Sequence, residues 1–167
     1  GGKAKLNVGV STFVPKPHTP FQWSPSDNLD QIKLKQALLR REVRGRGLKL
    51  NLNKPQETMM ESWLSRGDRR LGEVILEAYN NGAKFDGWWE HFNYSAWIKA
   101  FEKCELSTEF YTHRERKDDE VFPWDHIDAA VKKSFLLEDY KWSKEGQTRI
   151  DCRDKCFACG ILPQFIP

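Results

Sequence analysis

From Ala4 to Val14 the side chains alternate: Ala4, Leu6, Val8, Val10 and Thr12 on one face, Lys5, Asn7, Gly9 and Ser11 on the other. A period of two predicts a half-covered strand. Four prolines, Pro15, Pro17, Pro20 and Pro25, then fall within eleven residues. Proline removes a donor and restricts its predecessor, so this stretch predicts an ordered, extended loop. Ser26 or Asp27 is placed to cap a helix reaching about Arg44, with Leu29, Ile32, Leu39 and Val43 as its apolar stripe and Ala37 and Leu38 beside it. Leu48 to Asn53, "LKLNLN", alternates again and predicts a second strand. A strand–helix–strand unit pairs its strands in parallel through a right-handed crossover. Two parallel strands do not make a stable open sheet alone, so the pattern implies the missing half of a larger β/α domain.

Beyond residue 54 the period changes to that of helices. Met60, Trp63 and Leu64 mark a short helix ending at Gly67, and Asp68 caps another with Leu71, Val74, Ile75 and Ala78 on one face. "NNG", Asn80 to Gly82, stops it. Tyr94, Trp97, Ile98, Phe101 and Cys104 form the next stripe, and Ile127, Val131, Phe135 and Leu136 a last long helix finished by Gly146. "THRERKDDE", Thr112 to Glu120, is polar throughout and predicts a solvated loop.

Composition narrows the picture. In 167 residues, 27 basic groups stand against 24 acidic ones, a net charge of +3, too near neutral to argue for nucleic acid by itself. Ten Phe, seven Trp and four Tyr supply bulky core material. No apolar run of eighteen residues exists to span a membrane. "GGKAKLNVGVSTFV" shows no secretory pattern, so the expected compartment is the cytoplasm. Its immediate strand pattern, with no initiating Met, suggests an interior piece of a longer chain.

The chemistry concentrates near the end. "DCRDKCFACG" places Cys152, Cys156 and Cys159 within eight residues. A two-residue gap lets two sulfurs face one ion, the following Gly160 permits the turn, and Arg149, Arg153 and Lys155 favour the thiolates. Zinc requires a fourth ligand, from Cys104 or one of His18, His91, His113 and His126, whereas an iron–sulfur cluster can use three cysteines. Free thiols in a flexible tail are the bland alternative. Cys104 itself reads better as a buried hydrophobe on its helix stripe.

Other groups have equally good plain readings. In "AKFDGWWEHFNYSAW", Asp86, Glu90 and His91 bracket two tryptophans and can serve acid–base chemistry or stack a base or sugar. The favoured reading is that the tryptophans plug a core while Asp86 bonds to backbone amides. In "VFPWDHID", Asp125 caps the next helix and His126 sits in its first turn. Arg40, Arg41 and Arg44 complement a helix dipole, with a nucleic-acid contact as the lesser alternative, and Arg69 and Arg70 suit an acidic partner, a phosphate, or pairing with Asp68 and Glu73.

Five segments in order, "VSTFVPKPHTPFQW", "SRGDRRLGEVI", "FDGWWEHF", "PWDHID" and "DCRDKCFACG", resemble the C-terminal part of a family of radical SAM iron–sulfur oxidoreductases that often carry a cobalamin-binding-type N-terminal domain. "FVPKPHTPFQW" also resembles the late-barrel strand and loop of methylthiotransferase-type radical SAM enzymes. The resemblance implies an α+β fold, mainly α: residues 1–54 as the end of a β/α barrel with two or more strands, 55–146 as an appended helical domain, and 147–167 as a cysteine-rich metal-binding tail. It implies that His18 and Thr19 line the barrel's active site. It also implies that SAM, its four-iron cluster and a cobalamin belong to the full-length protein, with the missing barrel and cobalamin-binding domain as partners. The C-x3-C-x2-C spacing of Cys152, Cys156 and Cys159 resembles a SAM-cluster loop. However, only "GILPQFIP" follows it, and Ala158 stands where that loop usually has an aromatic. The tail therefore reads as a separate site for an auxiliary iron–sulfur cluster or zinc, and the chain alone is not expected to cleave SAM. Two alternatives are a stand-alone zinc-binding module contacting RNA, and a structural or interaction domain with a metal-stapled tail. Substrate and catalytic residues stay open.

Overall fold

A computed structural model describes residues 4–165. The protein is rich in helix, with one small parallel sheet, an α+β fold that is mainly α. The chain divides into two compact units: residues up to Val14 together with Ser26–Arg114, and Pro15–Pro25 together with Glu115 onward. Among the described residues no helix is long and apolar enough to cross a membrane.

The first unit opens with the expected strand–helix–strand piece. Strands β1 (Leu6–Val10) and β2 (Leu48–Leu52) pair in parallel, with Leu6 opposite Leu48 and Val10 opposite Leu52. Helix α1 (Leu29–Glu42) joins them and buries Ile32 and Gln36. Gln36 donates its side-chain amide to the carbonyl of Asn53 at 2.7 Å, tying the helix to the end of β2. Gly47 is required at the entry to β2. Its φ is +86°, and a Cβ there would lie 2.8 Å from the carbonyl oxygen of Ala4. Leu6 and Leu48 stay 58% and 38% exposed, unusual for parallel strands, which are ordinarily covered on both faces.

The cap of α1 differs from expectation. Asn28, not Ser26 or Asp27, accepts from the Gln31 amide, and Gln31 returns a bond to the Asn28 amide. This reciprocal box satisfies two helix-end donors at once, which a lone Ser or Asp does not. Ser26 instead shares a hydrogen bond with the Ser62 hydroxyl at 3.0 Å, and Asp27 pairs with Lys35.

Helices α2 (Pro55–Arg66), α3 (Leu71–Asn80), α4 (Tyr94–Lys103) and α5 (Thr108–Thr112) complete this unit. Their inward stripes form one core from Met59, Trp63, Leu71, Val74, Ala78, Trp97, Ala100, Phe101 and Tyr111. Trp63 stacks on Tyr94 at 5.7 Å and meets the edge of Phe101 at 5.0 Å. At Gly67 space, not φ, disfavours a side chain: a Cβ would lie 2.8 Å from the Trp63 carbonyl oxygen and would displace the Leu71 side chain. Buried Arg66 donates Nε to the Tyr111 carbonyl at 3.0 Å, securing α2 to α5.

The second unit is built differently. The proline loop contains a short 3-10 turn, Pro20–Trp23, whose Trp23 is fully buried. Trp23 stacks on Tyr140 at 5.8 Å and leans on Phe122 at 5.4 Å. Helix α6 (Lys133–Lys144) contributes Leu136 and Tyr140, and a final short helix α7 covers Ile161–Phe165.

Two expectations fail in this unit. Ile127 and Val131 precede α6 instead of belonging to it, because Ala130 is left-handed at φ +61° and its amide bonds back to Asp128. Helical hydrogen bonding cannot run through such a residue. Asp125 consequently caps no helix; it accepts from the Phe122 amide at 2.8 Å and pairs with Lys133. The polar stretch 112–120 is not simply solvated either. Arg116 is buried over the rings of Phe122 and Trp124, and Glu115 takes bonds from Tyr140 and Lys144. A guanidinium hidden under aromatic faces keeps both its charge and its contacts, which polarity along the sequence does not report.

Candidate metal centre

The cysteine segment is positioned from its two ends. Upstream, Arg149 lies over the rings of Phe135 and Trp142 on α6 and over Phe157, 4.4 to 4.8 Å from each centroid. Its guanidinium is also paired with Glu138 and Asp139. Phe157, between the second and third cysteines, is thereby held toward α6. Downstream, the Lys132 amide donates to the Cys159 carbonyl at 2.8 Å. Gly160, at φ +114°, approaches so closely that a Cβ would sit 2.5 Å from the Ala130 oxygen.

Between these anchors the backbone turns sharply. Ala158 is left-handed at φ +54°, and its amide points at Cys156 Sγ, 3.4 Å away. Cys152 and Cys156 are exposed, Cys159 is half-buried, and none of the three is in a disulfide. Asp151 accepts from the Arg153 amide and side chain, and that bond to Arg153 holds its carboxyl below the usual range. Arg149 and Arg153, expected to assist the thiolates, are thus both committed to carboxylates. Among the described residues, no group of three or more His, Cys, Asp or Glu side chains is gathered to hold a metal ion. The turn that aims an amide at Cys156 is formed; the three-thiol set is not closed.

The candidate fourth ligands are dispersed among other tasks. In the first unit, Cys104 ends α4, half-buried against the core, and His113 Nδ1 is bonded to the Ser26 carbonyl at 3.1 Å. His91 is exposed beside the ring of Phe85. In the second unit His126 is exposed. His18 is left-handed at φ +54°, its amide donates to Gln22 Oε1 at 3.2 Å, and its Nε2 is buried with no hydrogen-bond partner among the described residues. Thr19 donates its hydroxyl to the Lys16 carbonyl.

The tryptophan segment is only half as expected. Asp86 accepts from the Asn93 amide at 3.1 Å and from Trp97 Nε1 at 3.2 Å, fixing the loop to α4. Trp88 and Trp89 do not plug a core, being 59% and 44% exposed. The pinned Asp86 holds the loop across the helix end, leaving those rings outside, and Lys54 covers Trp89 at 3.4 Å. Glu90 is exposed.

One constellation was missed in the sequence and another only half read. The first is the Arg149 hub. The other is Asp68, which binds Arg70 and accepts from the Tyr111 hydroxyl; the Arg70 bond holds its carboxyl below the ordinary value. The spacing of Asp68 and Arg70 offered a local signal, whereas Tyr111 and Phe157 join these clusters only through tertiary contacts. At the C-terminal ends of β1 and β2 a cavity of about 220 Å³ is lined by Val10, Phe13, Ile32, Leu39 and Leu52, with Asp27 and Lys35. Compared with family models, with the curated proteins and with the solved structures, this chain has no match.

Proposed function

We propose that this chain is the C-terminal region of a radical SAM-type iron–sulfur oxidoreductase, and that Cys152, Cys156 and Cys159 hold an auxiliary iron–sulfur cluster or zinc. The observation that carries the metal reading is the turn at 156–160. Left-handed Ala158 and Gly160 and the amide directed at Cys156 Sγ form the kind of cradle a metal thiolate needs. A bound metal would have to gather the three sulfurs, since ligand sets of this kind organise as the ion enters. A cluster would supply redox chemistry and zinc a structural staple; the chain's own part is to present the thiolates and anchor the loop.

The barrel reading is supported by the strand–helix–strand unit. Its sheet has two strands with leucines uncovered, as a section of a β/α barrel would show once separated from its neighbours. The cavity at the strand ends falls short of the roughly 300–1,000 Å³ of ordinary ligand sites. A complete active site would therefore need walls from the barrel, with SAM and its four-iron cluster held there, and this region covers that site without cleaving SAM alone. His18, with its strained backbone and a buried nitrogen that has no partner among the described residues, and Thr19 remain proposed active-site residues of the full-length protein.

The test is metal and sulfide content with an optical spectrum, on protein purified without oxygen. Iron with sulfide and a broad absorption near roughly 400 nm identifies a cluster. One zinc per chain without colour identifies a structural site. Neither metal, with all three cysteines freely alkylated, overturns the metal reading.

A further inference from the structure

Helix α3 carries an apolar face that its own unit does not use. Leu71, Val74 and Ala78 are buried in the core. On the outer side Gly72, Ile75, Leu76 and Tyr79 recur at the spacing i, i+3, i+4, i+7 of a docking stripe. Ile75, Leu76 and Tyr79 are 46%, 61% and 54% exposed. Gly72 has no internal reason to be glycine: a Cβ there meets nothing within 4 Å. Glycine in a helix is less stable than alanine, so its smallness serves something outside the unit.

We propose that this face is a homodimer contact, in which Gly72 of each copy receives Tyr79 of the other. The sequence positions are self-complementary. Gly72 and Tyr79 are centred on the midpoint between Ile75 and Leu76. An antiparallel pair of α3 helices with its two-fold axis at that midpoint sets each Tyr79 over a Gly72 and packs Ile75 against Leu76. An isologous interface demands that one patch complement itself in this way. The same register keeps Glu73 away from its own counterpart, and Glu77 is already paired with Lys103 at 2.8 Å.

The patch is also large enough. Lys84 lies 4.8 Å above the Tyr79 ring, which brings the following loop beside the stripe. That loop exposes Phe85 and Trp88 by 69% and 59%. At about 150–250 Å² per aromatic side chain, the exposed parts of Tyr79, Phe85 and Trp88 with Ile75 and Leu76 come to on the order of 500 Å². A standard interface buries about 800 Å² per partner, the remainder being polar rim.

The test is the mass of the 167-residue chain in solution by sedimentation or light scattering, from about 1 to 100 μM. The wild type is expected to become dimeric across that range. Gly72→Gln fills the socket without an internal clash and should raise the dissociation constant at least tenfold, with the dilute protein melting no lower than the wild type. Leu76→Glu, on an exposed position, should do the same. A wild type that stays monomeric at the top of the range, or variants that dimerise unchanged, would overturn the proposal; cover by some other partner would appear as the first of these.

Discussion

The two units hide similar amounts of aromatic surface by opposite means. In the first, helix stripes meet: Trp63, Val74, Ala78, Ala100 and Phe101 are buried because period and packing agree. In the second, irregular chain is gathered around rings. Trp23, Phe122, Trp124 and Tyr140 form the centre, and buried polar bonds such as Trp124 Nε1 to Gln22 Oε1, at 2.7 Å, hold it in register. A core of stripes tolerates local error because its helices carry their own backbone bonds. A core of loops depends on individual long-range contacts, so removing one should disturb more of its surroundings.

Truncating the central tryptophans tests this most severely. Trp63→Ala and Trp23→Ala should each cost about 3–5 kcal/mol by cavity formation. Hydrogen exchange read by segment should show the loss around α2, α4 and α5 for the first and across 15–25 and 115–144 for the second. An undisturbed proline loop in Trp23→Ala would mean that the second unit does not hinge on this ring.

A smaller effect is expected at Arg149. Its guanidinium is nearly buried between Phe135, Trp142 and Phe157, while its carboxylate partners are partly solvated. Arg149→Ala should therefore cost about 2 kcal/mol, below the range for a fully buried pair, and should expose 150–160 to protease while leaving α1–α5 protected. Retained protection of the tail would show that the Lys132–Cys159 bond and Gly160 suffice to hold it.

The mildest perturbation is acid. Asp68 in the first unit and Glu115 in the second have carboxyls lowered by their bonds to Arg70 and Lys144 respectively. A lowered folded-state value means that the stabilisation is complete above the unfolded-state values, about 4 for Asp and Glu. It is lost as pH falls through the folded-state values below that. Thermal midpoints should hold from about pH 7 to 5 and drop below about pH 4, and Asp68→Asn should flatten part of the drop. A profile without an acid limb would show that neither pair contributes.

How much was legible follows the same division. The strand pair, its parallel sense, α2, α3 and α4 could be read because alternation and helical period are repeated along several residues. The cysteine cluster stood out by spacing, but the anchoring of its loop did not. Arg149 looked like one cation among several near the thiols, and only its three rings and two carboxylates show it to be an anchor. Trp88 and Trp89 read as core because large aromatics usually are, until Asp86 is seen bonded to Asn93 and Trp97, which leaves the rings outside.

By itself, then, the sequence determined the two strands, helices α1 to α4, the crossover between parallel strands, and three thiols that lie close along the chain. Tertiary structure decided that Asn28 caps α1, that α6 waits until Lys133, that Arg116 is covered, and that the proline loop joins the C-terminal third. The physical reason is range. Periodicity records an environment averaged over neighbouring residues, whereas Trp124 and Gln22 are bonded across 102 positions, and no local pattern encodes a partner that distant.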